Sequence, residues 1–158
     1  MQMSTPTNKM LYVNMKSISD QLFDKYEEVA NTKGIAAVPE PARTLISVYT
    51  AQGVIGNGGF AYFFESDFLG DENYEIITQS YRNIGLEEFA LSIENVLSLF
   101  PGGKPHNSEK QRSDFIYKYM SGDDEENHSD IVDEAEGIFY KDTENVYRLA
   151  DEYAERHV

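Results

Sequence analysis

The 158-residue chain contains no cysteine. Disulfide bridges and thiolate metal sites are therefore excluded, and a reducing compartment is compatible. No apolar run approaches the roughly 20 residues that cross a bilayer as a helix. Met1 to Met15 lack a continuous apolar core, so no signal peptide is read there and a cytoplasmic location is expected. Positive charge is scarce: 13 Lys and Arg stand against 28 Asp and Glu, a net charge of −15. Such a balance repels nucleic acid and membrane surfaces and attracts basic partners. Histidine is nearly absent as well. His106, His128 and His157 show none of the helical spacing that holds a metal, and all three read as solvent-exposed side chains.

The cations are missing mainly from one end. Residues 123–158 carry Asp123, Asp124, Glu125, Glu126, Asp130, Asp133, Glu134, Glu136, Asp142, Glu144, Asp151, Glu152 and Glu155 against Lys141, Arg148 and Arg156. Two thirds of the excess negative charge thus falls in the last quarter of the chain. These thirteen carboxylates are the expected partner-binding residues.

Hydrophobic residues make up 41% and aromatics 13% of the chain, too many for a disordered acidic tail. A chain of this length buries roughly 68–70% of its unfolded surface, enough for one core without a staple. Apolar residues recur at spacings of three and four. Ile18, Leu22, Tyr26 and Val29 lie on one helical face, capped by Ser17 or Ser19 and ended by Asn31 and Gly34. Leu45, Ile46, Val48 and Tyr49 mark a second helix that starts after Pro39 and Pro41 and runs to about Gln52. Gly53, Gly56, Gly58 and Gly59 predict a loop, and Phe60 to Phe64 a short aromatic helix beyond it with Tyr62 partly exposed. Asp71 and Gly85 bound a helix with Tyr74, Ile77 and Tyr81 on its buried side. A long helix follows from Leu86 to Phe100, stopped by Pro101-Gly102-Gly103. Ser108, Ser129 and Asp142 or Thr143 cap the last three. No segment alternates with period two, and there is no repeat or linker. The expected fold is all-α: a compact single-domain bundle of about seven or eight helices over 16–158, preceded by a partly ordered segment over 1–15.

Chemistry is harder to find. Asp123 to Asp130 is rich in oxygen ligands but lacks the glycine and carboxylate register of a calcium loop. Gly56-Asn57-Gly58-Gly59 precedes a helix, yet Phe60-Ala61 follows where a phosphate loop needs Lys and then Ser or Thr. No nucleophile–histidine–carboxylate set can be assembled. No catalytic residue, metal site or cofactor is expected, and the chain does not read as an enzyme.

Gly53-Val54-Ile55-Gly56-Asn57-Gly58-Gly59-Phe60-Ala61-Tyr62-Phe63-Phe64 resembles the DNA-mimic-protein-nineteen-like family, a bacterial family of unknown function. Its hallmark is an Asn-Gly-Gly-Phe loop opening an aromatic helix, here Asn57, Gly58, Gly59 and Phe60. The resemblance covers about residues 40–100. The chain departs from the family pattern at Gly56, where a second Asn is usual, near Tyr62, where Gln is frequent, and at Glu65 and Ser66, where an Asn often follows the aromatic pair. The resemblance implies an all-α fold without known enzymatic activity. It also implies, for the mimic member, occupation of a helix-turn-helix transcription factor in place of DNA.

Two partner classes follow from the acid. One is a basic DNA-binding protein whose DNA surface is occupied by a mimic. The other is a basic toxin inhibited by an immunity or antitoxin protein, with Tyr117, Tyr140, Tyr147 or Tyr153 at the centre of its contact. An acidic soluble domain without mimicry is the third reading. None involves direct nucleic-acid or membrane binding.

Overall fold

Helix starts and stops follow local chemistry in the computed structural model, which describes residues 16–120 and 130–158. Helix α1 (Ile18–Lys33) begins where Ser17 Oγ accepts the Asp20 amide at 3.0 Å, and it ends at Gly34, whose φ of 96° suits glycine. A single 3₁₀ turn (Ile35–Ala37) leads to α2 (Ala42–Glu65). The Glu40 carboxylate takes the Thr44 amide and hydroxyl at 2.8 and 2.7 Å, satisfying a donor in the first turn of α2. Helix α3 (Glu75–Asn83) is preceded by Tyr74 in the left-handed region. Asp71 caps α3 as expected, from upstream: its two oxygens accept the amides of Ile76 and Ile77 at 2.8 and 2.9 Å. Gly85 (φ 84°) ends that turn, and α4 (Glu87–Leu97) follows, closed by the Pro101–Gly103 turn. Helix α5 (Glu109–Met120) starts after Ser108, whose carbonyl takes the Arg112 amide at 3.0 Å. Helices α6 (Asp130–Tyr140) and α7 (Thr143–His157) complete the chain. The described residues thus form seven α-helices and no strand, and the fold is an all-α bundle.

One expectation is corrected. The glycines from 53 to 58 do not form a loop. Helix α2 runs straight through them and breaks only at Gly59 (φ 67°, ψ −162°), a backbone region open essentially to glycine alone. The second helix and the short aromatic helix are therefore two halves of one kinked rod. Glycine costs a helix about 1 kcal/mol relative to alanine. Here the buried faces on both sides outweigh that penalty: Leu45, Val48, Ile55, Phe60, Phe63 and Phe64 are all fully buried.

Helix α2 is the axis of the molecule, touching α1, α3, α5, α6 and α7. Phe139 of α6 meets Phe60, Tyr81 and Phe89 at ring-centroid distances of 5.5, 5.3 and 4.9 Å, all edge-on. Such pairs add about 0.5–1.5 kcal/mol each beyond area burial. A polar link runs through the same core. Buried Gln52 donates to Phe139 O at 2.9 Å and accepts from Tyr81 Oη at 2.9 Å, joining α2, α3 and α6.

Candidate functional site

The acidic end is carried by α6 and α7, which share α2 and otherwise rest on different helices. Helix α6 lies against α2, α4 and α5, whereas α7 lies against α1 and α2. On α6, Val132, Ala135 and Phe139 are buried. That orientation turns positions 130, 133, 134 and 137 outward. Asp130, Asp133 and Glu134 are accordingly exposed. Asp130 and Asp133 sit in the first turn. There a negative charge also favours the helix dipole, so part of their placement serves the helix itself. On α7, Val146, Ala150, Tyr153 and Ala154 face the core, and Glu144 and Glu155 are exposed.

Not every acid on the expected surface is available to a partner. Asp151 is turned inward, accepting from Ser19 Oγ at 2.6 Å and Tyr49 Oη at 2.7 Å, and so ties α7 to α1 and α2. Burial, with Asp151 beside it, drives the Tyr49 phenol well above its ordinary pKa, so the hydroxyl stays a donor. Glu152 pairs with Arg148 one turn away at 2.8 Å. Asp142 is exposed in a left-handed turn (φ 48°) between the two helices. Asp123, Asp124, Glu125 and Glu126 lie outside the described residues, as do His128 and the calcium-like stretch up to Ser129.

Glu136 joins the acidic end to the glycine-rich stretch of α2. The kink at Gly59 separates Phe60 from the regular helical ladder, and Glu136 Oε1 takes the Phe60 amide at 2.9 Å. A β-carbon at Gly59 would stand 2.3 Å from that oxygen and 3.2 Å from the Tyr140 hydroxyl. Glycine at 59 is therefore required twice, for its backbone angles and for the closeness of α6. Burial raises the Glu136 pKa, the Phe60 amide opposes that, and Asp133 adds to it. Around the kink, Asn57 and Gly58 are exposed, and Tyr62 and Tyr140 present 44% and 51% of their surface. Residues 57–60 are thus divided in role: Gly59 and Phe60 build the joint with α6, and Asn57 and Gly58 are exposed to solvent.

Two further expectations change. Tyr153 is buried, leaving Tyr117 and Tyr140 as the exposed tyrosines of the four considered, with Tyr147 half-buried against Tyr49. His106 is half-buried and not fully exposed. Its ring lies 5.8 Å from Phe100 and 5.5 Å from Phe115, and its Nδ1 is buried with no hydrogen-bond partner. Arg112 was not marked by any sequence signal, yet it is buried. It donates to Phe64 O, His106 O and Asn107 O at 2.8–2.9 Å and pairs with Asp67 at 2.5 Å. Among the described residues no His, Cys, Asp or Glu cluster could hold a metal, and no helix is long and apolar enough to cross a membrane.

A family model described as DMP19-like protein matches residues 36–157, from the turn before α2 to the end of α7. No curated protein and no solved structure matches the chain.

Proposed function

The chain belongs to the DMP19-like protein family, and from that premise we propose that it is a non-enzymatic acidic binding protein that occupies the DNA-binding surface of a basic, helix-turn-helix type protein. The observation that carries this reading is the outward carboxylate set of α6. Asp130, Asp133 and Glu134 fall within five consecutive positions, about 6 Å of helix axis at 1.5 Å per residue. B-DNA carries roughly three to four phosphate charges over that distance, at one per about 1.7 Å. Glu144 and Glu155 of α7 and exposed Asp142 extend the negative field. The Phe60–Glu136 bond supports the reading from another side, because it fixes the carboxylate-bearing helix to the central rod. A rigid array loses little freedom on binding.

The test is a titration against helix-turn-helix regulators encoded with this protein, at several salt concentrations. A mimic that replaces counterion-shrouded DNA associates through charge, so affinity falls steeply as salt rises. Affinity indifferent to salt rejects the mechanism.

A second reading, inhibition of a basic toxin, is favoured by exposed Tyr62 and Tyr140 beside the kink. Aromatic anchors dominate shape-specific contacts. If Tyr62→Ala and Tyr140→Ala abolish binding while charge changes on α6 only slow association, the inhibitor reading is the better one.

A further inference from the structure

Away from the acidic helices, a cavity of about 220 Å³ lies between α1, the first half of α2 and the loop from Asp67 to Asp71. The loop is held there by the Ile35 amide, which donates to Leu69 O at 2.9 Å, and by Gly34 and Gly70, where a β-carbon on either would come within about 3.1 Å of the other's backbone. Ile35, Ile46, Phe68, Leu69 and Ile77 supply apolar walls. Ser47, Asp71, Asn31, Thr50 and Asp67 supply the polar ones, and the lining holds no Lys, Arg or His.

Ser47 is 3% exposed and its Oγ has no hydrogen-bond partner. A hydroxyl inside a helix usually donates to the carbonyl four residues back. Thr78, Ser80 and Ser92 do so here, at 2.6, 2.7 and 2.8 Å. Ser47 does not. Asp71 is 4% exposed, and each oxygen accepts one backbone amide. A carboxylate oxygen has room for a second donor. A cavity with a buried unpaired hydroxyl, a buried carboxylate and no cation is complementary to a ligand that donates and carries positive charge.

We propose that this cavity binds a small primary alkylammonium ion, its ammonium donating to Ser47 Oγ and the Asp71 carboxylate and its short hydrocarbon stem lying on Ile46, Phe68 and Ile77. At roughly 30 Å³ per water-sized group the space takes about seven such groups. That suits a four-carbon amine and excludes a nucleotide. The α3 amides behind Asp71 are already bonded to that carboxylate, so the helix end does not recruit an anion.

Isoleucine-methyl NMR of the full chain, titrated in 150 mM salt with n-butylammonium, n-butanol and butyrate, tests this. The site predicts saturable shifts at the Ile35, Ile46 and Ile77 methyls, with Ile93 and Ile116 unmoved. It predicts butylammonium binding at least tenfold tighter than butanol, and no binding of butyrate. Ser47→Ala is expected to weaken butylammonium severalfold and leave butanol unchanged, and Thr50→Trp, at an exposed position on the rim, to block both. Three outcomes overturn the proposal: no saturable shift at those methyls, equal affinity for butanol and butylammonium, or shifts confined to the Ile131 and Ile138 methyls of α6 as a diffuse cation atmosphere would give.

Discussion

Glu136 Oε1 accepts the Phe60 amide at 2.9 Å, joining α6 to the break in α2 across 76 residues of sequence. The bond turns a local irregularity into a fixed joint. With Gly59 at φ 67° and ψ −162°, alanine there meets both backbone strain and the Glu136 carboxylate. Gly59→Ala is expected to cost about 2–4 kcal/mol in urea unfolding, combining strain with overpacking. Glu136→Gln keeps an acceptor oxygen and is expected to stay within about 1 kcal/mol of the parent. Glu136→Ala leaves the amide unpaired and costs about 1–3 kcal/mol. Equal stability of all three would show that the joint is incidental.

The Gln52 bridge gives a second expectation. Tyr81→Phe leaves Gln52 Oε1 buried without its donor. A loss of about 1–3 kcal/mol follows for a buried acceptor so exposed to desolvation. Gln52→Leu leaves both the buried Tyr81 hydroxyl and Phe139 O without partners, and Tyr81→Phe removes the first of these, so the double variant should be less destabilised than the sum of the two. Chemical unfolding of the four proteins completes that cycle.

Arg112 holds the end of α2 to α5 and the loop before it. Its guanidinium serves four carbonyls and Asp67 from a buried position. Lysine cannot reproduce that fork. Arg112→Lys keeps the charge but leaves buried carbonyls without a donor, and it is expected to cost about 1–3 kcal/mol; calorimetry reads it directly.

Asp71 sets a pH dependence. Burial pushes its pKa up to about 6, against the opposing pull of the Ile76 and Ile77 amides, with Glu75 and Glu72 adding to the rise. The ordinary value is 3.8. Between those values the folded chain holds a proton that the unfolded chain has released, so this group's contribution to stability increases as pH falls through about 6 and levels off below about 4. Relative to Asp71→Asn, the parent should gain up to about 3 kcal/mol over that window at 1.36 kcal/mol per unit. A stability gap that stays flat from pH 7 to 4 would contradict the assignment.

Much of the fold was legible because helical periodicity and punctuation agree. Ser17, Asp71, Gly85 and Pro101 bound the elements where their chemistry places them. The glycine run misled for a physical reason. Gly53, Gly56 and Gly58 weaken a helix locally, but Ile55 on one side and Phe60, Phe63 and Phe64 on the other are buried in the same core, and tertiary packing overrides propensity. The inward turn of Asp151 and Glu136 was not legible, since an acidic side chain carries the same signal whether it meets solvent or a distant Ser19 or Phe60. Arg112 and Gln52 were silent for a related reason: Arg112 serves mostly backbone carbonyls, and Gln52 bonds one carbonyl and the distant Tyr81 hydroxyl, none of which leaves a mark in the sequence.

The central claim is that the α6 carboxylates stand in for phosphates, and competition measures it most directly. A fluorescent operator duplex is bound to its helix-turn-helix regulator, and this protein is titrated in, beside a variant carrying Asp133→Lys and Glu134→Lys. The account predicts stoichiometric displacement of DNA by the parent, weakened steeply by salt, and loss of displacement in the variant, whose substitutions lie at exposed positions and whose helix content is matched to the parent by circular dichroism. A ternary complex of regulator, DNA and this protein, or undiminished displacement by the variant, would contradict it.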